Sequence, residues 1–174
     1  AANSNLVTGP GTDAIEINPS NTFASGTEYY VVIDSDAFKD LTGNYYAGIS
    51  STTTLSFTTL DSTNPSLSSS SPAHLDTDVA VDTNIVLNFS EAVDVESGNI
   101  TIKKTSDDST VETIDVTSTQ VTGSGSTQIT INPSSALDDS TEFYLIIDAT
   151  AFDDAAGNSY AGIDNTNSML SFTS

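Results

Sequence analysis

The chain contains one stretch of sequence twice, and this internal repeat restricts the fold more than any other feature. Residues 7–49 and 121–163 align at a fixed offset of 114 with 23 identities in 43 positions. After one inserted residue the match resumes, with LSFTT at 55–59 and LSFTS at 170–174. Because repeated sequence folds into repeated structural units, the sequence predicts two related units in one chain.

Short runs of alternating apolar and polar residues indicate that both units are all-β. The clearest runs are AIEIN and QITIN, EYYVVID and EFYLIID, and the closing LSFT of each unit. Three more precede the second copy: NIVLNFS, NITIKK and VETIDV. Helix is expected only as a single turn near 35–39 and 149–153. About seven strands in roughly 110 residues is typical of an Ig-like Greek-key β-sandwich.

The strand runs divide the chain into one complete repeat and one partial repeat. We predict a complete Ig-like repeat at 66–174, a linker at 60–65, and only the C-terminal half of a repeat at 1–59. A half-sandwich exposes its apolar face and its strand edges. We therefore expect residues 1–59 to be completed by a preceding part of a longer tandem-repeat protein, or by strands that a partner donates.

The charge of the chain excludes several kinds of partner. Twenty-four acidic residues and only three lysines give a formal net charge of −21. Nucleic acids and anionic membranes require Lys and Arg to neutralise phosphate, so neither is an expected partner. No apolar stretch approaches the ~20 residues needed to cross a bilayer, so membrane insertion is not expected. Cysteine is absent, which leaves no disulfide or thiolate metal site.

Several motifs carry a resemblance to a known family. They are the Ser71–Pro72 entry, the run TNIVLNFSEAV at 83–93, the Asn–Pro pair at 132–133, and the F-x-D-x-x-G-N loop at 152–158. Residues 61–174 thereby resemble the bacterial Ig-like domain family, found as tandem repeats in S-layer proteins, large adhesins and other secreted proteins. In residues 1–59 the resemblance covers only the second half of a unit.

The resemblance implies a non-catalytic spacer in an extracellular or cell-surface protein, stacked against neighbouring Ig-like repeats of the same or adjacent chains. Two alternatives remain open. One is a module that binds carbohydrate or a host surface, for which Tyr45 and Tyr46 are the candidate aromatic platform. The other is an accessory domain of a secreted hydrolase. An enzyme is not expected, because His74 is the only histidine and no G-x-S-x-G motif occurs.

The acidic loop after the longest apolar run of each copy is the main candidate site. Calcium is bound by six to eight oxygen ligands from carboxylates, amides, carbonyls and water. The loops offer such oxygens at Asp34, Asp36, Asp40 and Asn44, and at Asp148, Asp153, Asp154 and Asn158. The sequence thus predicts calcium as a candidate cofactor, although the spacing is not that of an EF-hand.

The same residues have a second interpretation, as a turn. The Gly–Asn pairs at 43–44 and 157–158 suit positive φ, and Asp40 and Asp154 suit Asx-turns. A further acidic cluster flanks the NIVLNFS run and has the same two interpretations, a metal site shared with the linker residues Asp61 and Asn64 or a solvated rim. Its members are Asp76, Asp78, Asp82, Glu91, Asp94 and Glu96.

Overall fold

A computed structural model describes residues 5–9, 11–164 and 170–174. The chain divides into two compact units, Ala1–Ser62 and Thr63–Ser174, here called the first and the second unit. The described residues contain strands, turns and bends but no helix. The first unit contains β1 (Val7–Thr8), β2 (Glu16–Ile17), β3 (Glu28–Tyr30) and β4 (Ser56–Thr58). The second unit contains β5 (Leu67–Ser71), β6 (Ile85–Val95), β7 (Asn99–Lys104), β8 (Thr110–Asp115), β9 (Val121–Thr122), β10 (Ser126–Ile131), β11 (Glu142–Ile147), β12 (Phe152–Asp153) and β13 (Ser171–Thr173).

The second unit is a sandwich of two antiparallel sheets. In one sheet β6 is central: β10 pairs with one of its edges and is followed by β9. The other edge of β6 is shared, because β5 pairs with its first half and β12 with its last two residues. The second sheet has the order β13, β11, β7, β8. The chain crosses between the sheets after β6, β8, β10, β11 and β12, so the predicted all-β Ig-like sandwich is confirmed.

The core of the second unit lies between these two sheets. Inward-facing residues alternate along β6, with Ile85, Leu87 and Phe89 buried in succession, as period-two patterning requires. From the opposite sheet Ile100 and Ile102 of β7 contribute side chains with no exposed surface. Phe89 also packs against Phe152 and Tyr160, with ring centroids 5.4 and 5.2 Å away. The alternation read from the sequence therefore marks the buried face correctly.

The first unit has two separate strand pairs, β1 with β2 and β3 with β4. Phe23, Tyr29 and Phe57 form an aromatic cluster, with Phe23 4.6 Å from Tyr29 and 5.4 Å from Phe57 between ring centroids. No described residue of the first unit is buried. This unit therefore has paired strands but no closed core.

Several details differ from the strand and helix predictions. The single helical turns are ordinary turns at 35–36 and 149–150, and β12 begins where the second was expected. β6 continues past the predicted end at Ser90 to Val95. The run EYYVVID forms only the three-residue β3. β5 has the sequence LSSSS, which lacks the apolar–polar alternation by which strands are predicted.

Candidate functional site

The acidic loop of the second unit starts at the end of β11, where Asp148 fastens two strands together. Its Oδ2 accepts a hydrogen bond from the Asn99 backbone N–H at 2.8 Å, and its own N–H donates to the Asn99 carbonyl at 3.0 Å. Asn99 is the first residue of β7, the strand paired with β11. The contacts of Asp148 thus hold the neighbouring strand in register.

Asp154 organises the turn that follows. Its Oδ1 accepts from the backbone N–H groups of Ala156 and Asn158, both at 2.8 Å, and its Oδ2 accepts from the Asn158 amide at 2.8 Å. The side-chain bond from Asn158, opposed by burial and supported by the backbone donors, lowers the pKa of Asp154. This arrangement is an Asx-turn, in which the carboxylate accepts hydrogen bonds from the backbone of the turn itself.

The first unit builds the same turn around Asp40. Its Oδ1 accepts from the Thr42 N–H, the Thr42 hydroxyl and the Asn44 N–H at 2.8–2.9 Å, and its Oδ2 accepts from the Asn44 amide at 2.8 Å. The Asn44 side chain, then the Asn44 N–H and the Thr42 hydroxyl, lower the pKa of Asp40 from 3.8 to about 2. Because Asp40 is exposed and Asp154 is buried, the turn does not depend on burial.

Two glycines in each loop have different physical roles. Gly43 and Gly157 have φ of 96° and 86°, and nothing would touch an added Cβ. Gly48 and Gly162 also have positive φ, but there a Cβ would lie 2.4 Å from the carbonyl oxygen of Ile33 or Ile147. The second glycine of each loop is therefore needed for close packing as well as for backbone conformation.

The other predicted ligands are placed apart. Asp34 and Asp36 are exposed, and Asp153 is half-buried on β12 opposite Asp94 of β6. Among the described residues, no three of the six predicted aspartate ligands bring carboxylate oxygens within 4.8 Å of one another. The geometry supports the turn interpretation of Asp40 and Asp154, and calcium stays a prediction.

Two members of the second acidic cluster, Asp76 and Asp94, make hydrogen bonds to neighbouring loop residues. No three of its six members bring carboxylate oxygens within 4.8 Å of one another. Asp76 accepts from the Ala73 N–H at 2.7 Å, and Asp94 accepts from the Ser124 hydroxyl at 3.3 Å. Of the linker residues, Asn64 donates to the Ser159 carbonyl at 3.0 Å within the second unit. The hydrogen bonds of Asp76, Asp94 and Asn64 hold loops of the second unit in place.

The first unit also contains a groove that the sequence analysis did not identify. One wall consists of Val7, Ile15 and the turn 11–13 between β1 and β2, and the other is the stretch 37–41. The groove has a volume of about 640 Å³ and includes exposed apolar side chains, among them Ile15 and Leu41. We call it the open groove. In the complete repeat the counterparts of both walls pair with β6. Aligning the two copies position by position is the step that could have revealed the open groove from the sequence.

A family model described as bacterial Ig-like domain matches residues 2–59 and 61–174. The chain belongs to this family, whose domains are generally non-catalytic structural modules and commonly occur in extracellular or surface proteins. No curated protein sequence matches the chain. Within the part of the chain that the structure describes, no helix is long and apolar enough to cross a membrane.

Proposed function

We propose that the protein is a non-catalytic structural spacer of an extracellular or cell-surface adhesin, S-layer or fibre, in which successive Ig-like repeats carry tension along the chain. Neighbouring Ig-like repeats of the same or adjacent chains are its partners. The family supports a structural role, and one feature of the second unit supports the mechanical part of the proposal.

That feature is a parallel contact between the two ends of the second unit. The Leu75 N–H donates to the Ser171 carbonyl at 2.7 Å, and the Val79 N–H donates to the Thr173 carbonyl at 3.1 Å. Between them the Thr173 N–H donates to the Asp76 carbonyl at 2.8 Å, and Asp76 and Phe172 form a parallel bridge. The stretch 75–79 follows β5, the first strand of the unit, and β13 is the last strand.

The direction of these strands decides how they respond to force. Pulling the start and the end of the unit apart loads β5 first and then slides the two parallel segments past each other, because the pulled ends lie at opposite ends of the paired stretch. All three hydrogen bonds are then strained together. An antiparallel hairpin pulled at its two adjacent ends instead loses its hydrogen bonds one after another. The second unit is therefore arranged to resist tension applied through its ends.

Single-molecule force spectroscopy tests the proposal on the full chain. The chain has no cysteine, so cysteines introduced at Ser62 and Ser174 give unique attachment points around the second unit. We expect cooperative unfolding that releases about 112 residues, from Thr63 to Ser174, or roughly 400 Å of contour length at ~3.6 Å per residue.

A matched control attaches the same chain at Ser97 and Thr117, which flank the β7–β8 hairpin. In this geometry the hairpin opens one hydrogen bond at a time, so we expect a clearly lower unfolding force. Equal forces in the two geometries would contradict a mechanical role for the parallel contact.

The alternative of a binding module depends on Tyr45 and Tyr46, which are 64% and 45% exposed. The counterpart of Tyr46 in the second unit is Tyr160, which is 7% exposed and packs on Phe89. The exposure of Tyr46 is thus a property of the uncovered face of the first unit, which favours the structural proposal over a carbohydrate platform.

A further inference from the structure

Glu112 is an acidic residue on the inner face of an edge strand. It lies on β8, which forms one edge of its sheet, and it is half-buried. Directly opposite it on β7 is Ile102, whose side chain has no exposed surface. Ile114, two residues further along β8, is 1% exposed. Because residues two apart on a strand share a face, Glu112 points towards the core side of the sandwich.

The Glu112 carboxylate connects β8 to the other sheet. Its Oε1 accepts a hydrogen bond from the Gln120 side-chain amide at 2.8 Å, and its Oε2 accepts from the Ser134 backbone N–H at 2.9 Å. Gln120 immediately precedes β9, and Ser134 follows β10, so both donors adjoin strands of the sheet that contains β6. The carboxylate therefore joins the two sheets on the side of the sandwich where β8 and β9 are the edge strands.

Gln120 extends this connection to the loop 132–136, which follows β10. Its side-chain amide also donates to the Asn132 carbonyl at 3.0 Å, and its backbone carbonyl accepts from the Asn132 N–H at 2.8 Å. The loop is thus held at Asn132 by Gln120 and at Ser134 by Glu112. Both attachments include a side chain that contacts the Glu112 carboxylate or belongs to it.

These contacts depend on the charge of Glu112. Burial by itself would raise the pKa of this carboxyl, but hydrogen bonds from Gln120 and Ser134 outweigh burial, so the pKa of Glu112 is lowered. Hydrogen bonds to an ionised carboxylate are about twice as strong as those to a neutral acceptor. Protonation also adds an O–H donor among groups that are themselves donors. The contacts are therefore strong when Glu112 is ionised and weak when it is protonated.

The surroundings of Glu112 make its titration easy to follow. The stretch 116–137, which supplies both donors, contains no charged or titratable side chain. Of the carboxylates nearby, Asp115 accepts from the Thr117 N–H and hydroxyl at 2.8 and 2.7 Å, within its own turn. The charged groups of the neighbouring elements are Lys103 paired with Asp108, Lys104 paired with Asp138, Asp115 at the end of β8, and Asp82 beside the loop 132–136.

We propose that Glu112 is an acid-released brace, which holds the loop 132–136 and the segment before β9 to β8 at neutral pH and frees them when it is protonated. A carboxylate with a lowered pKa contributes stability above its unfolded value, here 4.5, and this contribution is lost as the pH falls below that value. The core stays folded on release, because its side chains are apolar and do not titrate. The proposal is independent of the mechanical role, since the parallel contact lies at β13, the opposite edge of the sheet.

Amide hydrogen exchange measured by NMR on the full chain tests the proposal. The N–H groups of Ser134 and Asn132 report on the brace, and the Leu145 N–H, which donates to the Leu170 carbonyl at 3.0 Å, reports on the core. Rates are corrected for the intrinsic pH dependence of exchange. Between pH 6 and pH 3 we expect Ser134 and Asn132 to exchange about 10-fold faster, the effect of losing one hydrogen bond to a charged group. Leu145 should stay protected.

Two variants separate Glu112 from other carboxylates. Glu112→Gln carries no charge at any pH, so Ser134 and Asn132 should already exchange fast at pH 6 and should not accelerate further at pH 3. Asp115→Asn is the matched control, because Asp115 lies on the same strand and its pKa is also lowered, first by the Thr117 side chain. This control should keep the full acid response of Ser134 and Asn132.

Three results would overturn the proposal. The first is slow exchange of Ser134 and Asn132 in Glu112→Gln at pH 6. The second is an acid response that survives in Glu112→Gln or disappears in Asp115→Asn. The third is exchange of Leu145 that accelerates together with Ser134 in Glu112→Gln, since the brace would then not open separately from the core.

Discussion

Matching residues of the two units differ sharply in burial although 23 of the 43 aligned positions are identical. Ile17 is 48% exposed and its counterpart Ile131 is fully buried, while Phe57 is 40% exposed and Phe172 is 1% exposed. The second unit contains β5 to β8 in addition to the shared half, and β6 and β7 supply the side chains that close its core. An alternating apolar run thus defines the apolar face of a strand, and this face is buried only where a second sheet packs against it.

The largest expected effect tests this comparison at one position of the repeat. Phe152→Ala should destabilise the second unit by about 3–5 kcal/mol, because it leaves a cavity beside Phe89. Phe38→Ala should destabilise the first unit by about 1 kcal/mol or less, because Phe38 is only half-buried and the substitution removes few contacts. Denaturant unfolding followed by amide exchange in each unit measures both. Equal losses would show that the first unit has a closed core in solution.

The second prediction concerns the two glycines of the loop in the second unit. Gly162→Ala should cost about 3 kcal/mol or more, because overpacking against the Ile147 carbonyl adds to the strain of positive φ. Gly157→Ala should cost about 1 kcal/mol, since only the positive φ is penalised. The two variants are measured by chemical denaturation under the same conditions. A larger loss for Gly157→Ala would contradict the assignment of close packing to Gly162.

The third prediction tests whether the aspartate turn is equivalent in both units. The pKa of Asp40 is about 2 and that of Asp154 is also lowered. A carboxylate with a depressed pKa in the folded state contributes stability above its unfolded pKa. For Asp40 that contribution is present above about pH 3.8 and is lost as the pH falls through about 2.

Carboxyl carbon NMR titration should therefore show Asp40 ionised down to about pH 2, and Asp154 with a midpoint below that of an ordinary aspartate. Asp154→Asn should flatten the acid dependence of the stability of the second unit, and Asp40→Asn that of the first. Ordinary midpoints for both residues would mean that the turns open in solution.

The smallest expected effect is that of calcium. Because Asp154 already accepts three hydrogen bonds with which calcium would compete, we expect at most a small calcium-selective rise in the Tm of the second unit. Calcium at 100 times its Kd would instead stabilise a specific site by about 2.7 kcal/mol, or about 4–8 °C at this size. Thermal unfolding in EDTA, calcium and magnesium measures this difference. A calcium-selective rise removed by Asp148→Asn or Asp154→Asn would support the metal site predicted from the sequence.

Much of the second unit could be predicted from its residues. The alternation in NIVLNFS and EFYLIID identified the central strands, because a half-buried strand repeats its environment every two residues. The serine-rich β5 and the two-residue β12 could not be found in this way. β5 covers an edge, and β12 exists because Phe152 and Asp153 meet the last residues of β6, a contact of high sequence separation.

The two candidate sites also differ in how far the sequence predicts them. The Asp–Asn–Gly chemistry of the loop predicted an Asx-turn, because its hydrogen bonds join residues at most four positions apart. The open groove could not be read from the residues of the first unit alone. Its walls correspond to β10 and β12, which pair with β6 in the second unit.

The repeat, the strand pattern, the acidic surface and the turn at Asp40 and Asp154 follow from the residues alone, since all of these depend on residue type and short-range hydrogen bonding. The burial of Ile131 and the exposure of Ile17 depend on the folded chain, because burial requires a second surface and the alternation of one strand carries no information about its partner. The same reason applies to Lys39 and Asp153: the sequence puts them at matching positions, but only the structure shows that Asp153 lies opposite Asp94 of β6.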